Sequence, residues 1–183
     1  MINGDRIRYG DKVYLDAIRA DLIDSVKHLY MTEPLNRLYS VAPRYPEPVP
    51  AFIEAFKAEN NVAFAVRLRE DDQFVGVCSL HNIAWHARST QLKVGIFEER
   101  SLKIDFLTDI AKTILQYAYL EANLNRVEVS TTEDQHIWLD ALKRTGFHEE
   151  GHLRQDVFRD GNYIGTVVLS SLRREWDAKG NMP

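Results

Sequence analysis

The order of the predicted secondary-structure elements indicates an α/β (α+β) domain. Three strands separated by short polar turns are predicted in the middle of the chain, between residues 62 and 97. The following part, up to residue 176, is predicted to contain a loop, a long helix, a strand, a second helix and two strands. The 183 residues, 45% of them hydrophobic, suffice for one domain over residues 1–183 with a substantial core.

The N-terminal third is predicted to hold a strand, two helices and a long loop. Apolar and polar residues alternate over residues 6–15, which is typical of a strand, and Gly10 and Asp11 form a turn within it. Residues 17–30 and 49–59 carry apolar side chains at helical spacing. The prolines between residues 31 and 50 predict a loop, and a loop of this length in a compact domain is often functional.

The rest of the chain is predicted as strands and helices in quick succession. Residues 62–68, 74–83 and 90–97 read as an antiparallel meander. A helix with one apolar stripe covers residues 105–122, and a strand covers residues 126–131. Residues 132–135 resemble a capping box for the next helix, which Gly146 ends. The last strands are predicted over residues 147–152 with 156–158, as one bent strand, and over residues 163–172.

Composition favours a cytoplasmic protein without a nucleic-acid or membrane partner. The net charge is −4, and the basic residues are scattered rather than clustered on one segment. No segment approaches the ~20 apolar residues that span a membrane, and the N-terminus lacks a signal-peptide pattern. Cys78 lies in an apolar run, so we expect a core thiol, with a reactive thiol as the alternative.

Four segments carry a resemblance to a known protein family. They are residues 74–83 (FVGVCSLHNI), 124–129 (LNRVEV), 146–151 (GFHEEG) and 159–163 (RDGNY). These strings resemble the GCN5-related N-acetyltransferase (GNAT) superfamily, in the branch that acetylates ribosomal-protein N-termini and small amines. The resemblance covers nearly the whole chain. It implies a mixed, strongly twisted central sheet flanked by helices.

The resemblance also implies an activity, a cofactor and partners. The expected cofactor is acetyl-CoA or another acyl-CoA, and the expected substrate is a small-molecule or peptide amine. In this family the strand before the cofactor loop splays from its neighbour, and the pyrophosphate lies at the N-terminus of the following helix. The C-terminal hairpin of such folds often pairs in a homodimer. The spacing of the histidines predicts no metal site.

The family's cofactor-binding positions transfer to the loop around residue 100 and to the next helix. Those positions are Ile96, Phe97, Glu98, Arg100, Ser101, Lys103, Ile104, Asp105, Gln135 and Trp138.

Several of these positions depart from the family pattern. The three loop glycines fall on Ser101, Lys103 and Asp105, where side chains crowd the approach of a phosphate. The acidic residue of the preceding strand falls on Gln91, and the tyrosine that protonates the leaving thiolate falls on Leu142. Ordinary acetylation therefore needs other groups at these places.

Two interpretations of the loop remain open. Ser101 or Asp105 caps the helix and so fills the anion-binding site of the chain itself. Alternatively, Arg100 and Lys103 bind the phosphates in place of the glycine amides. Trp138 either blocks the cofactor channel or is a core aromatic residue.

The catalytic candidates are His81 as a base on the substrate side, Gln91 at the acidic position, and Glu149 or its neighbour Glu150 as a base or amine ligand. Two functions follow. The chain is an N-acyltransferase that acts through proximity and a backbone oxyanion contact from residues 94–97. Alternatively, it is a catalytically inactive GNAT-like protein that binds a ligand or a protein partner. Free loop amides favour the enzyme, whereas amides bonded to Ser101 or Asp105 favour the inactive protein.

Overall fold

The computed structural model describes residues 8–18, 22, 59–96, 101 and 103–178. The proline-rich loop predicted over residues 31–50 lies outside these residues, as do nearly all of the helices predicted over residues 17–30 and 49–59. Within the described part, no helix is both long and apolar enough to cross a membrane.

The described strands form one mixed, twisted sheet in the order β1-β2-β3-β4-β5-β6-β8-β7. Neighbouring strands are antiparallel throughout, except for the parallel pair β5 and β6. The strands are β1 (Arg8–Tyr9), β2 (Val13–Ala17), β3 (Val62–Leu68), β4 (Phe74–Ala84), β5 (Ser89–Ile96), β6 (Arg126–Thr132), β7 (His148–Arg159) and β8 (Asn162–Leu172). The predicted fold class is therefore confirmed.

The N-terminal hairpin is fastened to the helix that follows β5. The turn predicted at Gly10 separates β1 from β2, and the Gly10 N–H donates to the Val13 carbonyl at 2.8 Å. A Cβ at Gly10 would lie 2.5 Å from both Asp109 Oδ2 and Thr113 Oγ1. Glycine is therefore required here because the hairpin turn lies directly against the side chains of the helix.

The long helix differs from its prediction at its C-terminal end. Helix α1 (Ile104–Gln116) continues as a π-helical turn (Tyr117–Glu121) instead of one α-helix to residue 122. Tyr117 packs edge-on against Phe64 with ring centroids 5.0 Å apart. The Tyr119 hydroxyl donates to a β8 carbonyl at 2.8 Å. The wider turn brings both tyrosines into the core, and an apolar stripe of helical period does not reveal such a change.

The second helix, α2 (His136–Thr145), does not begin with the predicted capping box. Its N-cap is Gln135, and no side chain caps it. Glu133 instead accepts a hydrogen bond from the Gly165 N–H of β8 at 2.9 Å. The predicted end of the helix is confirmed, because Gly146 adopts a left-handed conformation with φ 96°.

The C-terminal hairpin consists of β7 and β8. The predicted bend of β7 is confirmed, since its pairing with β8 shifts between Glu149 and Gly151 and again between Leu153 and Val157. After β8 comes a short helix, α3 (Arg173–Ala178), which the sequence pattern did not indicate.

One face of the sheet packs against α1 and α2 and forms the hydrophobic core. Cys78 is fully buried there, which confirms the predicted core thiol, and burial raises the pKa of its thiol well above the usual range. The strand and helix residues that meet in this layer include Phe64, Leu80, Leu92, Val94, Leu107, Ile110, Ile114, Val127, Trp138, Leu142 and Leu169.

Candidate functional site

A cleft opens where β5 and β6 separate. The two strands pair only at Ser89↔Arg126, Thr90↔Val127 and Gln91↔Glu128. Beyond Gln91, residues 92–96 pair with β4 alone, and residues 129–132 of β6 pair with β8 alone. Because a β-strand exposes its N–H and C=O groups along each edge, the facing edges of the two strands retain backbone groups for a ligand. The expected splay is thus present.

Four polar side chains lie on the sheet face opposite α1, beside the start of this cleft. Ser79 is the cross-strand partner of Lys93, and His81 is the partner of Gln91. Side chains alternate between the two faces of a sheet, so these four share one face while Leu92 points to the core.

His81 is held as a neutral imidazole. Its Nε2 lies 2.8 Å from the Ser79 hydroxyl oxygen. Burial, together with repulsion from the Lys93 ammonium, lowers the pKa of His81 to about 4. At neutral pH His81 is therefore a hydrogen-bonding group and a weak base, and its role as the catalytic base stays a prediction.

Gln91 marks the last β5 residue that pairs with β6. Its Oε1 accepts a hydrogen bond from Asn82 Nδ2 at 3.2 Å. A side-chain amide does not take up a proton at neutral pH. Gln91 can therefore orient a neighbouring residue or a ligand by hydrogen bonding, but it cannot remove a proton.

The N-terminus of α1 lies at the end of the loop that follows β5. The N-cap is Lys103, and no side chain forms a capping hydrogen bond. The first intrahelical bond runs from the Leu107 N–H to the Lys103 carbonyl at 3.0 Å. The N–H groups of the first turn, which includes Ile104, are therefore free for an anion within the described part of the chain.

The described residues do not support the self-capping interpretation of this loop. Asp105 lies in the first turn, but its carboxylate faces the Lys12 ammonium at 3.4 Å and the Arg144 guanidinium at 4.0 Å. Ser101 is only 2% exposed, and its hydroxyl has no hydrogen-bond partner in the described structure. Neither side chain occupies the helix N-terminus, because Asp105 is drawn to cations of the β1–β2 turn and of α2.

The other described cofactor positions lie at the end of β5 and on α2. Ile96 is the last residue of β5 and is buried, and Gln135 is the N-cap of α2. Trp138 is 2% exposed and belongs to the core, as its alternative interpretation predicted. Leu142 is also fully buried in the core and brings no acidic proton to the cleft.

The structure does not bring Glu149 to His81. Glu149 lies on β7, and β8, β6 and β5 separate it from β4. Its carboxylate lies 3.7 Å from the Lys143 ammonium. The neighbouring Glu150 accepts hydrogen bonds from Arg126 and Ser170, which lower its pKa to about 2. A carboxylate of such low pKa is a poor proton acceptor at neutral pH.

Three predicted cofactor residues, Phe97, Glu98 and Arg100, lie outside the described residues. Among the residues that are described, no three histidine, cysteine or acidic side chains are grouped as metal ligands.

Two residues of the cleft were not singled out from the sequence. Lys93 lies on β5 beyond the last parallel pair, half-buried beside His81. Thr131 lies on β6 beyond the same pair, fully buried, and its hydroxyl has no partner in the described structure. Neither residue belongs to a motif, and only the strand register shows that they flank the cleft.

The eight-stranded mixed sheet, whose parallel pair splays beside an uncapped helix N-terminus, has the architecture that the resemblance implied for a GNAT-like transferase. The model of the acetyltransferase (GNAT) domain family matches residues 12–148. The chain therefore belongs to the GNAT acetyltransferase family, as the resemblance implied.

Two curated relatives come from Bacillus subtilis (strain 168). "Putative ribosomal N-acetyltransferase YdaF" is 29% identical over 109 residues, which cover 60% of this chain and 59% of that protein. "Probable N-acetyltransferase YjcK" is 26% identical over 120 residues, covering 65% of this chain and 66% of the relative. The matched stretch thus spans slightly less than two thirds of the length of each relative.

A solved structure of similar fold is the spermidine N-acetyltransferase from Vibrio cholerae in complex with CoA and spermine. The TM-score is 0.79 at 18% sequence identity, and the superposition covers 90% of this chain and 97% of that one. At this identity the likeness concerns the fold.

Proposed function

We propose that this chain is an N-acyltransferase that moves an acyl group, most simply acetyl, from acyl-CoA to an amine. The observation that carries the proposal is the combination of two features at one sheet edge. The splayed strands β5 and β6 leave backbone groups unpaired, and the N-terminus of α1 presents free N–H groups at the end of the same strand. Family membership supports the same activity.

The residues at this edge fit an acyl-CoA. The N–H groups of the first turn of α1 and the helix dipole favour an anion. Lys103 adds a positive charge at the N-cap. The buried Ser101 hydroxyl has no hydrogen-bond partner in the described structure, and a phosphate oxygen could accept a hydrogen bond from it. Asp105 is paired with cations, so its charge is partly compensated.

The thioester of acyl-CoA supplies an activated acyl group. Amide formation joins the acceptor nitrogen to the acyl carbon and breaks the carbon–sulfur bond. The nitrogen gives up one proton, and the thiolate takes up one. The backbone edge of β5 beyond Gln91 orients the reactants and offers N–H groups to a developing oxyanion. His81, neutral at pH 7, accepts or relays a proton on the acceptor side.

One premise of the alternative, an inactive protein, was a loop that fills its own anion site. The described residues give this premise no support, since neither Ser101 nor Asp105 caps α1.

Acetyl-CoA titration by calorimetry, with thiol release upon addition of amines, tests the proposal. We expect Ser101→Ala and Lys103→Gln each to weaken acetyl-CoA binding about 3- to 10-fold. Because Ser101→Ala removes an unpaired buried hydroxyl, its unfolding free energy should not fall. Lys112→Gln, an exposed change on α1, is the matched control. Absence of acetyl-CoA binding by the unaltered protein would refute the proposal.

A homodimer paired through the C-terminal hairpin is also proposed. The outer edge of β7 has no neighbouring strand in the described sheet. Leu153, Phe158 and Tyr163 are exposed on this hairpin, with the two aromatic rings 5.0 Å apart. An exposed strand edge with apolar side chains is suited to pairing. Light scattering after size exclusion should give twice the chain mass, and Phe158→Glu should give a monomer.

A further inference from the structure

This inference rests on the proposed acyl transfer and concerns its acceptor. We propose that Lys93 selects an amine that also carries an anionic group, most simply a carboxylate, by binding that anion at the start of the cleft between β5 and β6.

Lys93 is placed at the mouth of the cleft by the strand register. It follows the last parallel pair, Gln91↔Glu128, by two positions, so no β6 residue stands opposite it. On its other side it pairs with Ser79 of β4. Its side chain therefore lies on the same sheet face as Ser79 and His81, opposite α1. It also adjoins the unpaired backbone edge of β5, where the acyl donor is proposed to bind.

The Lys93 ammonium is half-buried without an anionic partner. No carboxylate or hydrogen-bond acceptor contacts it in the described part of the chain, and burial lowers its pKa. Other cations of this sheet are compensated. Arg126 lies 3.0 Å from Glu128 and also binds Glu150, and Arg67 lies 3.9 Å from Asp16.

An unpaired cation in a partly desolvated cleft attracts an anion and repels a second cation. In the described part of the chain, the charged or titratable groups near this position are His81 on β4, whose pKa is lowered by burial and by Lys93, and the Arg126–Glu128 pair at the start of β6. A carboxylate on the acceptor would neutralise Lys93 and receive a hydrogen bond from it. A polycation such as spermine would meet repulsion at the same place.

The same contact would change the proton chemistry of the neighbouring imidazole. Lys93 is one of the two causes of the low pKa of His81. An anion bound to Lys93 offsets this repulsion and makes His81 a stronger base once the acceptor is in place. The acceptor's own charge would thus assist the removal of its proton.

Paired acceptors that differ only in charge test the inference. Acetyl-CoA-dependent transfer is measured for 4-aminobutyrate against butylamine, for Ala-Glu-Gly amide against Ala-Gln-Gly amide, and for spermine. We expect each carboxylate acceptor to exceed its neutral counterpart about tenfold in kcat/KM. Lys93→Met should remove this preference mainly through KM, so that the kcat/KM ratio within each pair of acceptors falls to about one. Lys93→Arg should restore it, and the exposed control Lys112→Met should behave as the unaltered protein.

Two results of the kinetic assay would overturn the inference. One is an unaltered protein that prefers spermine or the neutral acceptors. The other is a Lys93→Met variant that loses all acceptors equally, since a merely structural residue would behave in that way.

A binding measurement separates this inference from the proposed activity. 4-Acetamidobutyrate, which has the carboxylate but no reactive amine, is titrated into protein with 13C-labelled lysine. The Lys93 signal is assigned by its absence in Lys93→Met, or in Lys93→Arg if the methionine variant does not fold. A higher Lys93 pKa with ligand supports the anion site even if no acyl transfer is found. An unchanged Lys93 pKa at saturating ligand refutes the site even if acyl transfer is present.

Discussion

Replacing Asp109 by alanine should release the β1–β2 turn from helix α1. Asp109 is 6% exposed, and its carboxylate accepts three backbone hydrogen bonds. Its Oδ2 accepts hydrogen bonds from the backbone N–H groups of Lys12 at 2.7 Å and Val13 at 2.9 Å. Its Oδ1 accepts one from the backbone N–H of Asp11 at 3.0 Å. One side chain thus fixes the whole β1–β2 turn, although Val13 precedes Asp109 by 96 positions in the chain.

The expected loss follows from where the three donors lie. The Val13 N–H is buried, and a buried donor left without a partner costs about 1–3 kcal/mol. Asp11 and Lys12 are exposed, so water replaces the carboxylate and each bond is worth about 0.5–1.5 kcal/mol. Asp109→Ala should therefore lower the unfolding free energy by about 2–6 kcal/mol.

Urea denaturation gives the loss, and amide hydrogen exchange locates it. Exchange should accelerate first at Asp11, Lys12 and Val13. Asp109→Asn keeps one acceptor oxygen and should lose about half as much stability. Asp140→Ala, an exposed change on α2, should stay within about 0.5 kcal/mol. A loss below about 1 kcal/mol in Asp109→Ala, with unchanged exchange of the three amides, would refute the reasoning.

Three further predictions follow from buried groups. The pKa of His81 is about 4 in the folded protein and 6.5 in the unfolded chain, so the unfolded chain binds the proton first as pH falls. The unfolding free energy should therefore decrease between pH 6.5 and pH 4, by about 1–2 kcal/mol after solvent screening. Urea titrations should show a weaker pH dependence for His81→Gln. The Cys78 thiol should react with a disulfide reagent only after unfolding, because burial raises its pKa; rapid reaction in native buffer contradicts this. Gly76→Ala should cost about 2–4 kcal/mol in urea, since its Cβ would lie 2.3 Å from the Gly95 carbonyl, whereas Gly151→Ala, with open space around it, should be neutral.

The sheet was well predicted because its signals are local. β3 begins and ends at Val62 and Leu68 as predicted, since alternating side chains and the polar turn after it specify the strand without distant contacts. Gly146 likewise ends α2 because a left-handed residue is a property of the turn itself. The π-helical turn at residues 117–121 escaped prediction, since it depends on Phe64 and β8 packing against two tyrosines.

The candidate site was predicted in part, since His81 and Gln91 were named from the sequence but Lys93 was not. The family pattern directed attention to the loop before α1, whose N-terminus does lie beside the splayed strands. Glu149 was assigned to the same site from its place in a motif, but the strand order puts it at the far edge of the sheet. Lys93 belongs to no motif, and its proposed role follows from the end of pairing at Gln91 and from the lack of a carboxylate within ion-pair distance among the described residues.

Asp105 shows why a helix N-terminus is hard to interpret from sequence. An acidic residue in the first turn ordinarily stabilises the helix dipole, and from local sequence alone it is expected to cap. Here its partners are remote, since Lys12 lies 93 positions earlier in the chain and Arg144 lies on another helix. The Asp105 carboxylate lies 3.4 Å from the Lys12 ammonium and 4.0 Å from the Arg144 guanidinium, and it caps no backbone N–H of α1 in the described structure. In the described structure the side chains at the three glycine positions leave the N-terminus of α1 uncapped, and in the proposed function Ser101 and Lys103 would complete the anion site.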